Sequence, residues 1–343
     1  MSEFRIDKIT NRDGSAGTQI CGVSTFSGTS GMQLPVGPTA YRGGRGRGVQ
    51  GGGSSAVDVM DYVEIATLGN AVDFGNLTVG RRSLGAVSSS TRGVYMGGIA
   101  GPAWTNTIDY VTISSQGGAN DFGDLDSLNA RFASVSNHLI GMTGGGNDPS
   151  GYRTDMQYIN IATTGNVSLW GEFDNVQANQ GSSCASPTRG ILMGGYAPRD
   201  GSTVWLNTIS YVNLSSKGNG KDFGDITTGT YNGGHSQSGN STRGLMGGGY
   251  VSPGTLVNTI EYITISTFGN AADFGDLTDA RANLGSTANA TRGIFMGGDP
   301  GPGSSNIIDY VTVATTGDAA DFGDIPTAYQ QAAALSDTHG GLG

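Results

Sequence analysis

The sequence predicts an all-β fold: a six-bladed β-propeller closed by its C-terminal strand and preceded by a short N-terminal arm. Three observations predict it. Glycine supplies 61 of 343 residues and charged residues only 13%, a composition poor in helix formers and rich in turn residues. A unit of internal similarity recurs six times between residues 45 and 343, as repeat architectures require. The last segment of the chain supplies the one strand that the first unit lacks.

Each unit opens on an apolar run ending in di-glycine: Gly52-Gly53, Gly97-Gly98, Gly144-Gly145, Gly194-Gly195, Gly248-Gly249 and Gly297-Gly298. A tyrosine follows (Tyr62, Tyr110, Tyr158, Tyr211, Tyr262, Tyr310), and then an aromatic (Phe74, Phe122, Trp170, Phe223, Phe274, Phe322). Tyrosine and aromatic stand 12 residues apart in all six copies. A hairpin of fixed register demands that constancy, since a one-residue slip turns every side chain to the other face. Gly69-Asn70, Gly165-Asn166, Gly269-Asn270 and Gly317-Asp318 supply tight-turn chemistry between them. The distance from di-glycine to tyrosine instead varies, from 9 residues before Tyr62 to 16 before Tyr211, so length variation is confined to one loop per unit.

Four strands per unit follow. The innermost is small and polar, as in ASVSN at 133–137 and LGSTANA at 284–290. The second is the apolar run, and the third carries apolar groups on both parities, with Ile108 and Tyr110 on one face and Val111 and Ile113 on the other. Such a strand is buried on both sides, as in a blade between two neighbours. The fourth carries the Asp-Phe-Gly-Asp block. Only five innermost strands lie between units, and Gln331 to Thr338 supplies the sixth, which would close the ring and remove its exposed edges.

An apolar strand ending in di-glycine, then a tyrosine, then an aromatic at fixed spacing resembles the kelch repeat across residues 45–343, with phenylalanine mostly standing where that family usually has tryptophan. Residues 1–44 break the pattern and are too poor in apolar groups to bury a core alone. Their stretch DKITNRDGSAGTQICGVSTFSGTSGMQLPVGPT is similar to N-terminal segments of structural proteins from tailed bacteriophages of marine cyanobacteria, with a looser likeness in the DFGDLT-type repeats. The resemblance implies a virion protein made in the host cytoplasm. Its arm would dock on other virion proteins at the tail or another appendage, and its propeller would serve assembly or host-surface contact. A free carbohydrate- or protein-binding module is the alternative.

The net charge of −10 argues against nucleic acid or an anionic membrane as partner, and no apolar run approaches the roughly 18 residues of a membrane span. Arg42, Arg45 and Arg47 are read as a solvated approach to the first blade, with a phosphate site as the alternative. Cys21 and Cys184 form no disulfide or zinc spacing. The Asp-Phe-Gly-Asp carboxylates are expected to cap turns or pair with Arg92, Arg189, Arg243 or Arg292. His138, His235 and His339 offer no metal or catalytic constellation, although His138 and His339 fall at comparable inner-strand ends. No cofactor and no enzyme activity are expected. The loops between second and third strands carry the candidate binding residues: Trp104, Tyr152, Arg153, Tyr196, Arg199, Trp205 and Tyr250, of the types enriched on recognition surfaces.

Overall fold

The computed structural model describes residues 46–173, 181–199, 202–231 and 237–338. The arm, Cys21, Arg42, Arg45, His235 and His339 lie outside them. The rest forms six four-stranded antiparallel blades, and the closing strand falls where the sequence puts it. Ala333–Ser336 pairs with Arg47–Gly51, so the first blade is assembled from both ends of the described chain. The Asp337 carboxylate strengthens the latch by accepting hydrogen bonds from the backbone amides of Gly46 and Arg47 at 3.0 and 2.9 Å.

Counted outward from the axis, blade 2 shows the common pattern: Gly85–Ser88, Arg92–Met96, Thr107–Thr112 and Asn120–Asp124. Blade 5 departs from it: the fourth member of its sheet is the short Thr230–Tyr231, paired with Tyr250 and Val251 at the end of the second strand. Its innermost position holds isolated pairings at Gln237 and Gly239 in place of a regular strand. Gln237 Nε2 also donates to the Ser136 carbonyl of blade 3, reaching past blade 4.

The innermost strands are small because they converge. Their hydroxyls donate to the preceding blade: Ser88 to the carbonyl of Ser336, Ser136 to Ser88, Ser183 to Ser134, and Ser336 to Ala288. These polar side chains are buried, yet each spends its hydrogen bond on backbone that the converging strands leave unpaired.

The six apolar clusters each span two adjacent blades. Ile108 and Tyr110 pack toward Ile159 and Ile161 of blade 3, while Val111 and Ile113 pack toward Val49 and Met60 of blade 1. Burial contributes about 1.5–3 kcal/mol per large apolar side chain against about 1 kcal/mol per net hydrogen bond. Burial therefore holds blades together, and hydrogen bonding sets their register.

The Asp-Phe-Gly-Asp block is a junction between blades. In every blade the ladder shifts register at this block, bulging at the aromatic. The freed carbonyl of Phe122 then accepts the amide of Gly165 in the next blade's turn at 2.8 Å, and Asn166 Oδ1 accepts the Asp124 amide at 3.1 Å. Asn219, Asn270, Asp318 and Asn70 repeat that second bond around the ring. In blade 2 the corresponding turn residue is Gly118, which has no side chain to do so; Gln116 donates to the Asp73 carbonyl instead.

The arginines correct the sequence reading. Arg92, Arg189, Arg243 and Arg292 do not pair with the block's aspartates. Each lies over the tyrosine of its own blade, at 4.4 Å from the ring centre for Arg92, and donates to a carbonyl of a neighbouring blade: Ile161, Ile265, Val313 and Ile65. Arg47 does the same with Tyr62 and Ile113 while bonding Glu64, so it is a buried staple and neither solvated nor a phosphate ligand. Blade 3 has Ile140 at this position, and Lys217 from blade 4 covers Tyr158 in its stead.

Between blades 1 and 2, and again between 5 and 6, fully buried ion pairs join Arg81 to Asp109 and Arg281 to Asp309, at 2.9 and 2.8 Å. Thr78 and Thr278 cap the same carboxylates. For the equivalent carboxylate of blade 1, Asp61, the preceding blade carries Pro326 and Tyr329 at the positions of that threonine and arginine. It has neither donor, and burial, reinforced by the Asp73 charge, pushes its pKa up to about 6.

Two predictions follow from these junctions. A Cβ on Gly123, at φ +147°, would stand 2.5 Å from the Gly165 carbonyl oxygen, whereas one on Gly165, at φ +150°, would meet nothing within 4 Å. Gly165→Ala should therefore cost only backbone strain, about 1–3 kcal/mol, and Gly123→Ala a further 1–3 kcal/mol or so of steric cost, read by urea unfolding of the two variants side by side. Asp61 holds its proton more tightly folded than unfolded, so stability falls as pH rises from about 4 through about 6. Asp61→Asn should raise the melting temperature above pH 6 and change it little below pH 4, the gain being at most about 3 kcal/mol.

Candidate functional site

Antiparallel order places the connections between second and third strands at one end of the blades, together with the linkers from each fourth strand to the next blade. At this end the variable loops fold into ribbons. Ile99–Ala100 pairs with Ala103–Trp104, Asn147–Asp148 with Gly151–Tyr152, and Tyr196–Arg199 with Ser202–Trp205. In blade 5 the second and third strands themselves run on, as Arg243–Val251 and Thr255–Thr264. The ribbon roots are tied to the linkers by single backbone pairings, Arg82 with Ile99 and Ala130 with Asn147; Ala282 and Asp299 are joined likewise in blade 6.

The linkers are themselves unusual. Ser83, Arg131, Asn283 and Gln331 all adopt left-handed backbone, with φ between 54° and 62°. Their amides and carbonyls join from blade to blade, Arg131 donating to Ser83, Ser83 to Gln331 and Gln331 to Asn283. Non-glycine residues hold this conformation where the surroundings over-determine it, and here the inter-blade bonds do so. The ribbons thus stand on a fixed rim.

The candidate residues divide into three kinds. Tyr152 is 40% exposed on its ribbon, and Trp104 and Trp205 are half-buried on theirs, opposite Ile99 and Tyr196. Tyr196 and Arg199 sit on a paired strand, but their side chains lie outside the described residues. Arg153 and Tyr250 are engaged within the rim. The Tyr250 hydroxyl donates to Asp299 Oδ2 of blade 6 at 2.8 Å, tying two neighbouring loops together.

Arg153 is held by three carboxylates. Its guanidinium meets Asp155 at 2.7 Å, Asp126 at 3.3 Å and Asp148 at 3.5 Å. Gln157 donates to Asp155 and to Asp126. Hydrogen bonding to Asp155 raises the Arg153 pKa despite burial. Burial alone would raise the Asp155 carboxyl, but hydrogen bonds from Arg153 and Gln157 prevail and hold it below the ordinary value. This arginine clamps the blade 3 ribbon to the linker at Asp126 and Ser127. The sequence reading missed that role because Asp126 lies in the preceding linker, and Asp148 and Asp155 are of an ordinary turn-forming type.

The remaining candidates disperse. Asp73, Asp121, Asp222, Asp273 and Asp321 are exposed on the outer strands of five blades, and Leu169 takes their place in blade 3. Cys184 is buried between blades 4 and 5, which pushes its thiol pKa up. His138 is half-buried beyond the innermost strand of blade 3. Among the described residues, no group of three or more His, Cys, Asp or Glu side chains is placed to hold a metal ion, and no helix is long and apolar enough to cross a membrane. No known family description matches the chain, and no curated protein sequence matches it.

Arg153→Gln should lower stability at neutral pH by about 1–3 kcal/mol, since it leaves a cluster of carboxylates without a cation. Because Asp155 has a depressed folded pKa, the stability it confers is present above the ordinary carboxylate range and lost as pH falls through the folded value. The deficit of the variant should therefore shrink in acid, as checked by urea unfolding at neutral and acidic pH.

Proposed function

We propose that this chain is a binding and display module, and that it serves as a structural protein of a tailed bacteriophage particle. In this reading residues 1–44 dock on other virion proteins, and the propeller faces outward for assembly or for contact with a host-surface glycan or protein. The reading assigns it no reaction and no cofactor.

One observation carries the binding half. The length variation in the sequence is spent on ribbons at one end of the ring, while the parts that hold the ring together repeat almost unchanged. A rigid scaffold that varies only in its projecting loops suits recognition. The exposed ring of Tyr152 and the half-buried indoles of Trp104 and Trp205 supply the large, low-entropy contacts that such surfaces use. The virion half rests on the similarity of the arm sequence to N-terminal segments of cyanobacteriophage structural proteins.

The full chain and a truncated chain beginning at Gly43 should be sedimented with assembled phage particles and with cyanobacterial cells. Incorporation of the full chain alone into particles is the expected outcome. If both forms ignore particles and bind cells equally, the chain is a free binding module and the virion reading fails. Replacing Tyr152 with Ser should weaken cell binding of either form.

A further inference from the structure

The opposite end of the ring holds a second site. A cavity of about 320 Å³ opens in blade 4, between the turn that joins its first two strands and the turn that joins its last two. Arg189, Lys217 and Lys221 line it, with Asn213, Asn219 and Tyr211. No carboxylate is among its lining residues, and among the described residues none of its three cations forms a salt bridge.

This concentration stands against the rest of the molecule. The chain has a net charge of −10 and three lysines in all, Lys8, Lys217 and Lys221. Two of the three line this cavity. The repeat makes the comparison internal: at the position of Lys217 the other blades carry Leu68, Gln116, Thr164, Phe268 and Thr316, and at that of Lys221 they carry Val72, Asn120, Ser168, Ala272 and Ala320. None of those is charged, so the fold requires neither lysine. Lys217 does cover Tyr158 at 4.4 Å and donates to the Leu169 carbonyl at 3.3 Å, which fixes it in place. Lys221 is exposed on the outer strand with no comparable contact.

The surroundings indicate what kind of anion fits. Amide and hydroxyl groups of Asn213, Asn219, Thr188 and Ser216 complete the lining and suit a ligand with many hydroxyls. Beside the cavity, Phe268 of blade 5 packs on the Tyr211 ring at 5.0 Å with the Arg189 guanidinium 4.7 Å from its ring centre, and at 57% exposure the rest of its ring faces solvent. Cations, amides, hydroxyls and an open aromatic face together match an acidic sugar. A long polyanion such as nucleic acid would meet repulsion from the acidic surface beyond the cavity. We propose that this cavity binds a carboxylate-bearing saccharide unit, with Lys221 and Arg189 meeting the acid group and Phe268 the sugar ring. The site is separate from the ribbon end and does not depend on the virion reading.

The full chain should be titrated calorimetrically with a short oligosaccharide of alternating glucuronate and N-acetylglucosamine. An uncharged N-acetylglucosamine oligomer, sodium sulfate and a single-stranded DNA oligonucleotide serve as comparisons. Saturable binding of the acidic saccharide alone is expected. It should weaken about tenfold or more in Lys221→Gln and fall as sodium chloride rises from about 0.05 to about 0.5 M. Because Lys217 also packs on Tyr158, Lys221→Gln is the deciding variant, and its melting temperature should match the parent. No binding of the acidic saccharide, or equal binding of the uncharged oligomer, overturns the proposal. So does unchanged affinity in Lys221→Gln. Sulfate or DNA binding as tightly as the saccharide shows a bare anion site and overturns the sugar assignment.

Discussion

The structure depends on one junction repeated around the ring: the bulge of each outer strand, held against the hairpin turn of the following blade. A four-stranded sheet buried on both faces cannot satisfy the backbone of its outer strand from within, because that strand has no further partner. Here the bulge at the aromatic turns the freed carbonyl sideways, and at five of the six junctions the next blade's turn glycine donates to it, as Gly165 does to Phe122 and Gly317 to Phe274. The contact works only where two backbones can touch, which is why the block reads Phe-Gly so consistently. Once this junction is set, the arginine of the second strand finds its tyrosine, 4.3 to 5.2 Å from the ring centre, and a carbonyl acceptor in a neighbouring blade.

Seen from that junction, the conserved and variable parts of the repeat have one explanation. Residues at interfaces between blades must meet a partner that is itself repeated, so a change on one side needs a matching change on the other. Blade 3 shows such a pair. Ile140 replaces the arginine there, and Lys217 reaches across from blade 4 to cover Tyr158. Asp61 shows the reverse case, a carboxylate kept after its donors have become Pro326 and Tyr329, with its pKa raised as the consequence. Loops that face only solvent carry no such constraint and have grown into ribbons.

Much of the fold was legible in the sequence because its determinants are local. The fixed spacing from Tyr110 to Phe122 encodes a hairpin, and the two-sided apolar pattern of Ile108, Tyr110, Val111 and Ile113 encodes a blade between neighbours. The closing role of Ala333–Ser336 was legible as well, since strand counting needs no coordinates. What escaped was encoded across blades. Nothing in the linear motif says that Arg92 points at the Ile161 carbonyl of the next blade rather than at an aspartate of its own. Nor does the loop around Arg153 announce that Asp126, from the preceding linker, joins Asp148 and Asp155 on it. A ligand-facing residue and a clamping residue have the same sequence signature, an arginine in a Gly- and Asp-rich loop. Only the distances separate them.

The two lysines of blade 4 differ in what the repeat requires of them. A charge total averages over the surface, and at −10 it conceals a local reversal of sign. Lys217 has a structural reason to exist, because Tyr158 lacks the arginine that covers the tyrosine in the other blades. That reason stops at one cation. It does not explain Lys221, whose position on the outer strand is filled by Val, Asn, Ser or Ala elsewhere in the ring without loss of the blade. Phe268, at the turn position of Lys217, packs in the same way on Tyr211, Phe223 and Arg189, and still leaves its ring 57% exposed beside the cavity. A repeat protein provides its own controls: five blades show what the fold needs, and the excess in the sixth is what remains for a ligand.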